Sequence, residues 1–159
     1  MLTRRFFCSA TVFVVCTVLS FAMPPAAQAA DTIYGTVVAV KSPTLLTLDY
    51  GRGRYDIRLV GMEAPRTPQL SKAAQSFVAR LTLNRKARLR FYYREPSGVM
   101  VGRLQTDDRV VGLKDVGLEL VRAGLVLPAK GFDYTYKDLS AAELDAQRAR
   151  RGLWSTERP

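Results

Sequence analysis

The segment YDIRLVGMEAPRTP (residues 55–68) contains the transition that decides the fold. Its first part, Tyr55–Val60, predicts a strand. Its second part, Gly61–Pro68, holds a glycine, two prolines and small side chains, which predict an ordered loop. Beyond the loop the apolar residues follow a helical period and predict a helix from Gln69 onward. The apolar face of that helix consists of Leu70, Ala74, Phe77, Val78 and Leu81.

Two strands are predicted before this segment and two after its helix. Glycines and prolines separate them, as expected for hairpins and turns. On the fourth strand, alternation places Leu89, Phe91 and Tyr93 on one side. The predicted strands are Thr32–Val40, Leu45–Tyr50, Arg88–Tyr93 and Val99–Leu104, followed by a hairpin or loop over Asp107–Gly112.

Two further helices are predicted near the C-terminus. Val116–Ala123 forms the first, stopped by Gly124. The second is expected to start near Ser140, where Ser140 and Glu143 would form a capping box. Three strands, a helix, two strands and two helices predict a mainly β, α+β fold. It is a five-stranded OB-type Greek-key barrel, with one helix between strands 3 and 4 and two C-terminal helices.

The first thirty residues predict an export signal. Phe6–Met23 is apolar, Pro24 and Pro25 interrupt it, and Ala27-Gln28-Ala29 supplies the small residues of a cleavage site. A membrane anchor is the alternative, because the apolar run is about long enough to span a bilayer; the prolines and the cleavage site favour removal. We therefore expect a signal peptide over residues 1–29, cleaved after Ala29 or Ala30. The domain over residues 30–159 would be periplasmic or extracellular, monomeric and not attached to a membrane.

Composition excludes several chemistries. The chain has no histidine, and its two cysteines, Cys8 and Cys16, lie inside the predicted signal. The domain therefore has no histidine base, thiolate nucleophile or cysteine-bound zinc. Of 24 Lys and Arg, signal cleavage removes Arg4 and Arg5 and leaves 22 against 14 Asp and Glu, a net charge of +8. Such charge favours an anionic partner, nucleic acid or acidic polysaccharide, although solubility alone is an equal explanation.

Four local motifs carry a resemblance to a known family. They stand in order along most of the domain: Gly35–Val40, Arg58–Pro65, Asp115–Leu125 and the closing Ala149–Trp154. Together they resemble the staphylococcal nuclease (thermonuclease) family. This resemblance implies an OB barrel and a calcium-dependent phosphodiesterase mechanism. In that mechanism carboxylates hold Ca²⁺, a glutamate serves as base and two arginines neutralise the phosphate.

Transferring the family's site residue by residue leaves a degenerate constellation. The first arginine corresponds to Arg58 and one calcium carboxylate to Glu63, both retained in type. A second calcium aspartate corresponds to Thr44, and the catalytic glutamate to Arg66. The resemblance thus implies excess positive charge where relatives hold a cation. Without a second carboxylate or a base, we expect no cofactor, and Ca²⁺ only if the chain is active.

The second arginine of the family is ambiguous. The register that matches Gly98, Gly102 and Arg103 together places Val99 at that position. Another register restores the arginine as Arg103. The first register is favoured because it needs no insertion, and Arg103 could reach the pocket in either. Tyr134 and Tyr136 are candidate stacking groups beside Arg58 and Arg66 in an anion-binding pocket.

Three functions remain open at this point. The reversed pocket charge favours a non-catalytic domain that binds an anionic polymer. An active nuclease would need carboxylates from elsewhere, such as Asp49, Asp56 or Glu95; a structural or assembly role is the third possibility.

Glu63 could instead form a salt bridge with Arg58 or Arg66. A basic run near Tyr92 and Tyr93 could bind a nucleic acid backbone, but a solvated face is the preferred interpretation. The run is Lys72, Arg80, Arg85, Lys86, Arg88 and Arg90.

Overall fold

The computed structural model describes residues 31–108, 112–129 and 137–155. These residues form eight strands, three α-helices and a closing 3-10 turn. The predicted signal peptide, Tyr134 and Tyr136 lie outside them. The strands are β1 Thr32–Ser42, β2 Leu45–Asp49, β3 Arg54–Leu59, β4 Met62–Glu63, β5 Lys86–Arg94, β6 Met100–Asp108, β7 Gly112–Asp115 and β8 Leu127–Pro128. The helices are α1 Pro68–Thr82, α2 Val116–Arg122 and α3 Lys137–Arg148. The closing turn is Gly152–Trp154.

Five of the strands close into a barrel. The sheet runs in the order β3-β2-β1-β5-β6-β7, and a parallel pairing between β3 and β6 closes the first five of these strands into the barrel, whereas β7 pairs with β6 alone. In that pairing Ile57 faces Met100 and Leu59 faces Gly102. The closed barrel, with α1 after β3 and α2 and α3 near the C-terminus, confirms the predicted OB-type α+β fold. Closure also removes the free sheet edge that an open five-stranded sheet would expose.

The barrel core follows the alternation of the strands. Successive side chains of a strand point to opposite faces, so every second residue enters the core. Burial of each large apolar side chain stabilises the fold by about 1.5–3 kcal/mol. Helices α1 and α2 close the core with Ala74, Val78 and Leu120. The fully buried strand residues include Val37, Leu46, Leu48, Ile57, Leu89 and Leu104.

A β-bulge in β5 overturns one prediction. Phe91 pairs with Gly102 and Tyr93 with Val101, so Tyr92 is an extra residue between two consecutive partners on β6. An extra residue shifts the alternation of the strand by one. Phe91 therefore packs against the core, whereas Tyr93 is 54% exposed on the outer face. The prediction that Leu89, Phe91 and Tyr93 share one side is wrong for Tyr93.

Two helices differ from the sequence prediction, α1 in which residue it buries and α3 in where it begins. Helix α1 buries Thr82 rather than Leu81, and the Thr82 hydroxyl donates to the Val78 carbonyl at 2.8 Å. Helix α3 already begins at Lys137, so Ser140 lies inside its first turn. The predicted capping box is wrong, because an N-cap residue must have non-helical backbone angles. No helix in the described part of the chain is long and apolar enough to cross a membrane.

Two of the resemblance motifs meet in a backbone junction after α2. Gly124 and Gly152 both have left-handed φ angles, +67° and +52°. The amide of Leu153 donates to the carbonyl of Gly124 at 2.9 Å. A Cβ atom at Gly152 would lie 2.9 Å from the Ala123 carbonyl oxygen and closer still to that of Gly124. We call this contact the glycine junction; it fixes the closing turn against the end of α2.

Candidate anion-binding site

Glu63 and Arg66 lie in one open cleft after β3. Strand β4 holds Glu63 opposite Leu127 of β8, and the chain then turns toward the start of α1. The cleft has a volume of about 390 Å³, and we call it the Glu63–Arg66 cleft. Both side chains are exposed. No ion pair joins Glu63 to Arg58 or Arg66, so the alternative of a Glu63 salt bridge is wrong. The cleft is lined by Glu63, Ala64, Pro65, Arg66, Thr67, Leu127 and Leu153.

Arg58 pairs with a carboxylate that lies far away in the sequence. It projects outward from β3, and its Nε donates to Oε1 of Glu95 at 2.8 Å. The hydroxyl of Ser97 donates to the other oxygen of Glu95 at 3.2 Å. The side chain of Arg58 remains 45% exposed. One carboxylate, rather than three converging ones, therefore neutralises this arginine.

Arg58 and Tyr93 belong to one cross-strand row on the outer face of the barrel. Arg58 pairs with Leu45 on one side and with Val101 on the other. Val101 in turn pairs with Tyr93, which the bulge has turned outward. Val101 is buried but is not part of the main core cluster, which agrees with a position on the outer face. Neighbouring strands are spaced by about 4.8 Å, so the backbones of Arg58 and Tyr93 are about 10 Å apart.

Thr44 provides little for a cation. It is only 5% exposed, immediately before β2. Its backbone carbonyl already accepts a hydrogen bond from the amide of Leu59 at 2.8 Å. A threonine hydroxyl brings no negative charge. Thr44 therefore packs in the turn between β1 and β2 and provides no carboxylate there.

Val99 lies in the turn between β5 and β6. Its carbonyl accepts from the amide of Glu95 at 2.8 Å, which closes the hairpin and holds Glu95 in place. Its side chain lines a different groove, which also contains Tyr55 and Arg94. Val99 carries no donor for a phosphate. The turn contributes to the site through Glu95 instead.

Arg103 ties secondary-structure elements together on the outer face of β6. Its Nε donates to Asp115 at 2.7 Å and its Nη2 to Asp138 at 2.5 Å. Asp115 also caps α2 by accepting from the Leu118 amide at 3.0 Å. Burial lowers the pKa of Arg103, but Asp138 and Asp115 outweigh burial and raise the pKa overall. Arg103 does not line the Glu63–Arg66 cleft, and it joins β6 to the starts of α2 and α3.

The two other carboxylates considered as replacement ligands are also engaged on the surface. Asp56 accepts from Lys41 Nζ at 2.6 Å and from the Thr47 hydroxyl at 2.9 Å. Asp49 accepts from the amide of Gly51 at 3.0 Å. Neither carboxylate lines the Glu63–Arg66 cleft. The partners of Asp56 depend on how β1, β2 and β3 align, which no local pattern predicts, whereas the contact of Asp49 is local to the turn at Gly51.

The residues at the family's calcium position do not fit a calcium ion. Ca²⁺ takes six to eight oxygen ligands, and its affinity rises with their negative charge. Glu63 is the only carboxylate among the described residues that line the cleft, and Arg66 shares that cleft. Within residues 31–108, 112–129 and 137–155 there is no group of three acidic side chains that could hold a metal. The guanidinium of Arg66 can bind an anion in the cleft, and Arg58, which does not line the cleft, offers a second exposed guanidinium on β3.

The barrel and these side chains define an OB-fold domain with an open cleft after its third strand, in which one carboxylate and one guanidinium lie. A family model described as "Staphylococcal nuclease homologue" matches residues 56–156. The chain therefore belongs to the staphylococcal nuclease family. It is also 31% identical over 111 residues to a protein of Verticillium alfalfae named "Probable endonuclease LCL3". That similarity covers 62% of this chain and 38% of the relative, so the chain spans well under half of that protein's length.

Proposed function

We propose that this chain is an exported member of the staphylococcal nuclease family that binds nucleic acid without hydrolysing it. The observation that carries the proposal is that, among the described residues lining the Glu63–Arg66 cleft, a guanidinium stands beside a single carboxylate. Arg66 stands where the resemblance implies the catalytic glutamate, and Thr44 stands where it implies a calcium aspartate. A guanidinium does not deprotonate near neutral pH and cannot act as a base. Loss of a general base alone costs about 10²–10⁴-fold in rate.

The same residues support binding of a phosphate backbone. Arg58 and Arg66 are both exposed, and arginine forms paired hydrogen bonds with phosphate oxygens. Glu95 occupies Arg58 in the free protein, so a phosphate would have to displace one exposed ion pair. Such a surface pair contributes about 0–1 kcal/mol, which a phosphate contact can replace.

Tyr93 favours nucleic acid over an acidic polysaccharide. An exposed tyrosine ring in the same outer row as Arg58 offers a surface on which a base can stack. Stacking of one base on an aromatic side chain contributes about 1–3 kcal/mol. A polysaccharide has no planar aromatic base and would gain less from the ring.

Binding and hydrolysis can be tested on the same purified protein. We expect titration with a labelled single-stranded DNA to show salt-dependent binding that Arg58→Ala/Arg66→Ala weakens. The control Arg52→Ala/Lys72→Ala removes two exposed cations elsewhere and should weaken binding less. With added Ca²⁺ we expect no hydrolysis of DNA or RNA, and calorimetry should detect no Ca²⁺ binding tighter than the millimolar range. Tighter binding of an acidic polysaccharide than of DNA would refute the nucleic acid assignment.

An active nuclease is the second candidate. It is favoured by the similarity to a protein named as a probable endonuclease and by the presence of Arg58 and Glu63. Calcium-dependent hydrolysis that disappears in both Arg58→Ala and Glu63→Gln would establish it and overturn the non-catalytic proposal. Hydrolysis that survives both substitutions would indicate a contaminating nuclease.

Export is a separate part of the proposal. It rests on the apolar segment Phe6–Met23 and on the cleavage site Ala27-Gln28-Ala29. We expect mass spectrometry of the protein recovered from the periplasm or medium to show a mature N-terminus at Ala30 or Asp31. Recovery of the intact N-terminus in the membrane fraction would contradict export by cleavage and favour the anchor.

A further inference from the structure

The outer face of β5 carries a regular row of positive charge. Lys86, Arg88 and Arg90 alternate with the buried residues Ala87 and Leu89. Because side chains of a strand alternate, the three cations share one face. The row is about 14 Å long, given a rise of about 3.4 Å per residue. We call Lys86, Arg88 and Arg90 the β5 stripe.

Carboxylates do not neutralise the β5 stripe within the described residues. Arg88 donates from Nε and Nη2 to the amide oxygen of Gln105, a neutral acceptor that positions the guanidinium and leaves its charge intact. Arg90 lies 5.9 Å from the centre of the Tyr92 ring. Lys86 and Arg90 are exposed and form no ion pair with any described residue. Other basic side chains on the barrel, including Arg58 and Arg103, are paired with acids.

An exposed aromatic residue stands directly beside the stripe. In the β1–β5 pairing Tyr34 faces Arg88, between Thr32 opposite Arg90 and Thr36 opposite Lys86. Tyr34 is 68% exposed, the most exposed of the large hydrophobic side chains described. A tyrosine so exposed gains little from the fold, whereas its ring can receive a stacked base.

The stripe and Tyr34 line two adjoining depressions that share Arg88. Each has a volume of about 560 Å³. Together they form a groove that has no lining residue in common with the Glu63–Arg66 cleft. Of the acidic residues along it, Asp138 is bound to Arg103, whereas Asp107 forms no ion pair with a described residue. The groove therefore combines unpaired positive charge with one exposed ring, and its one acidic side chain without an ion pair to a described residue, Asp107, lines the same depression as Lys86.

We infer that this groove is a second binding site, and that its ligand is a single strand of nucleic acid. The β5 stripe would contact successive phosphates while one base stacks on Tyr34. The ring favours a nucleic acid over an acidic polysaccharide, because a planar base stacks on it face to face. A duplex would fit less well, because its bases are stacked on each other and do not reach the ring. The site adds to the proposed function and does not depend on the Glu63–Arg66 cleft.

The charge contribution is tested with Lys86→Gln/Arg90→Gln against the matched pair Lys72→Gln/Arg80→Gln. Both pairs remove two exposed cations, but Lys72 and Arg80 lie on α1 and line neither depression. The probe is a fluorescent oligo(dT), titrated at several salt concentrations. Each lost phosphate contact on a single strand lowers the salt slope by about 0.7, so the groove pair should lower it by about 1.4. Equal losses in the two pairs would overturn the site and leave only diffuse attraction.

The stacking contribution is tested with Tyr34→Ser and an abasic strand of the same length. We expect Tyr34→Ser to weaken oligo(dT) binding about tenfold and leave abasic-strand binding unchanged. Asp107→Asn should strengthen binding of both strands, since it removes the unpaired acid of the groove. Equal weakening of both strands by Tyr34→Ser, or heparin binding tighter than oligo(dT), would overturn the assignment. All these side chains are exposed, and a thermal melt of each variant checks its folding.

These titrations test the groove and the cleft as binding sites independently of each other. Loss of oligo(dT) binding in Lys86→Gln/Arg90→Gln but not in Arg58→Ala/Arg66→Ala supports the groove and removes the proposed role of the cleft. The reverse result supports the cleft and removes the groove.

Discussion

The glycine junction and the Glu63–Arg66 cleft differ in what constrains their residues. At the junction Gly124 and Gly152 touch backbone to backbone, and any side chain would meet a carbonyl group. In the cleft Glu63 and Arg66 are exposed and do not pair with each other. The junction retains the residues that the family resemblance implies, whereas the cleft departs from them. The close backbone contact at the glycine junction leaves no room for a side chain, whereas the exposed charges of the cleft can change sign without loss of the fold.

The largest effect is expected at the junction. Gly152→Ala should lower the free energy of unfolding by about 3 kcal/mol or more, because it adds backbone strain at φ +52° to a collision with the Gly124 carbonyl. Gly51→Ala is the matched control: its φ is +84°, but no atom lies within 4 Å of the new Cβ. That control should cost about 1 kcal/mol, from strain alone. Urea denaturation measures both changes.

The cleft should give the opposite result in the same experiment. Arg66→Ala is expected to change the free energy of unfolding by less than about 0.5 kcal/mol, as for other exposed positions. A loss at Arg66 comparable to that at Gly152 would break the comparison, because the cleft would then be part of the scaffold. A loss of stability at Gly152 no larger than at Gly51 would show that the contact with the Gly124 carbonyl does not constrain the glycine junction.

The scaffold was largely predictable because its signals are local. The alternation of β1, β2 and β3, the helical period of α1 and the stop at Gly124 are all visible over a few neighbouring residues. The bulge at Tyr92 was not, since one extra residue leaves the local pattern of apolar and polar residues almost unchanged. The early start of α3 was missed for a similar reason: Ser140 and Glu143 have the spacing of a capping box whether or not a helical turn precedes them.

A second prediction extends the comparison to charged groups that belong to the scaffold. Arg103→Met should lower the free energy of unfolding by about 2 kcal/mol, because it leaves Asp115, only 9% exposed, without its partner. Arg122→Met removes a more exposed pair with Glu119 on α2 and should cost about 0.5 kcal/mol or less. Guanidinium chloride would screen such pairs, so urea is the denaturant of choice. Similar losses in the two variants would contradict a scaffold role for Arg103.

The candidate site was less predictable than the scaffold because its contacts are long-range. Arg58 and Glu63 were identified by resemblance, but the partner of Arg58 is Glu95, 37 residues further along the chain. The sequence suggested Arg103 as a residue of the anion-binding site. In the structure Arg103 instead forms ion pairs with Asp115 and Asp138. Which carboxylate meets which arginine depends on how the β5–β6 hairpin lies across β3, and no local pattern states that.

A third prediction concerns the exposed ion pair between Arg58 and Glu95. Glu95→Gln keeps the shape of the side chain but releases Arg58 from a carboxylate, so single-stranded DNA should bind about two- to fivefold more tightly, in line with an exposed pair of up to about 1 kcal/mol. The free energy of unfolding should change little. Asp49→Asn, which removes the acid paired with Arg54, is the control with the same charge change. An equal gain in both variants would show a general effect of charge and no special role for Arg58.

The smallest effect is expected from acid titration of the β2–β3 hairpin. The hydrogen bond from Lys41 holds the pKa of Asp56 below its ordinary value of 3.8, with a further contribution from the Thr47 hydroxyl. A carboxylate whose pKa is lower in the folded state stabilises the fold above the unfolded pKa and loses that contribution as pH falls through the folded pKa. Lys41→Met should therefore cost about 0.5 kcal/mol at pH 7, and the difference from the unmodified protein should fade below about pH 4. Urea denaturation of both proteins from pH 7 to pH 2 measures the difference. A difference that persists at pH 2 would show that Lys41 acts through packing of its aliphatic chain, and the exposed pair would then belong with the scaffold.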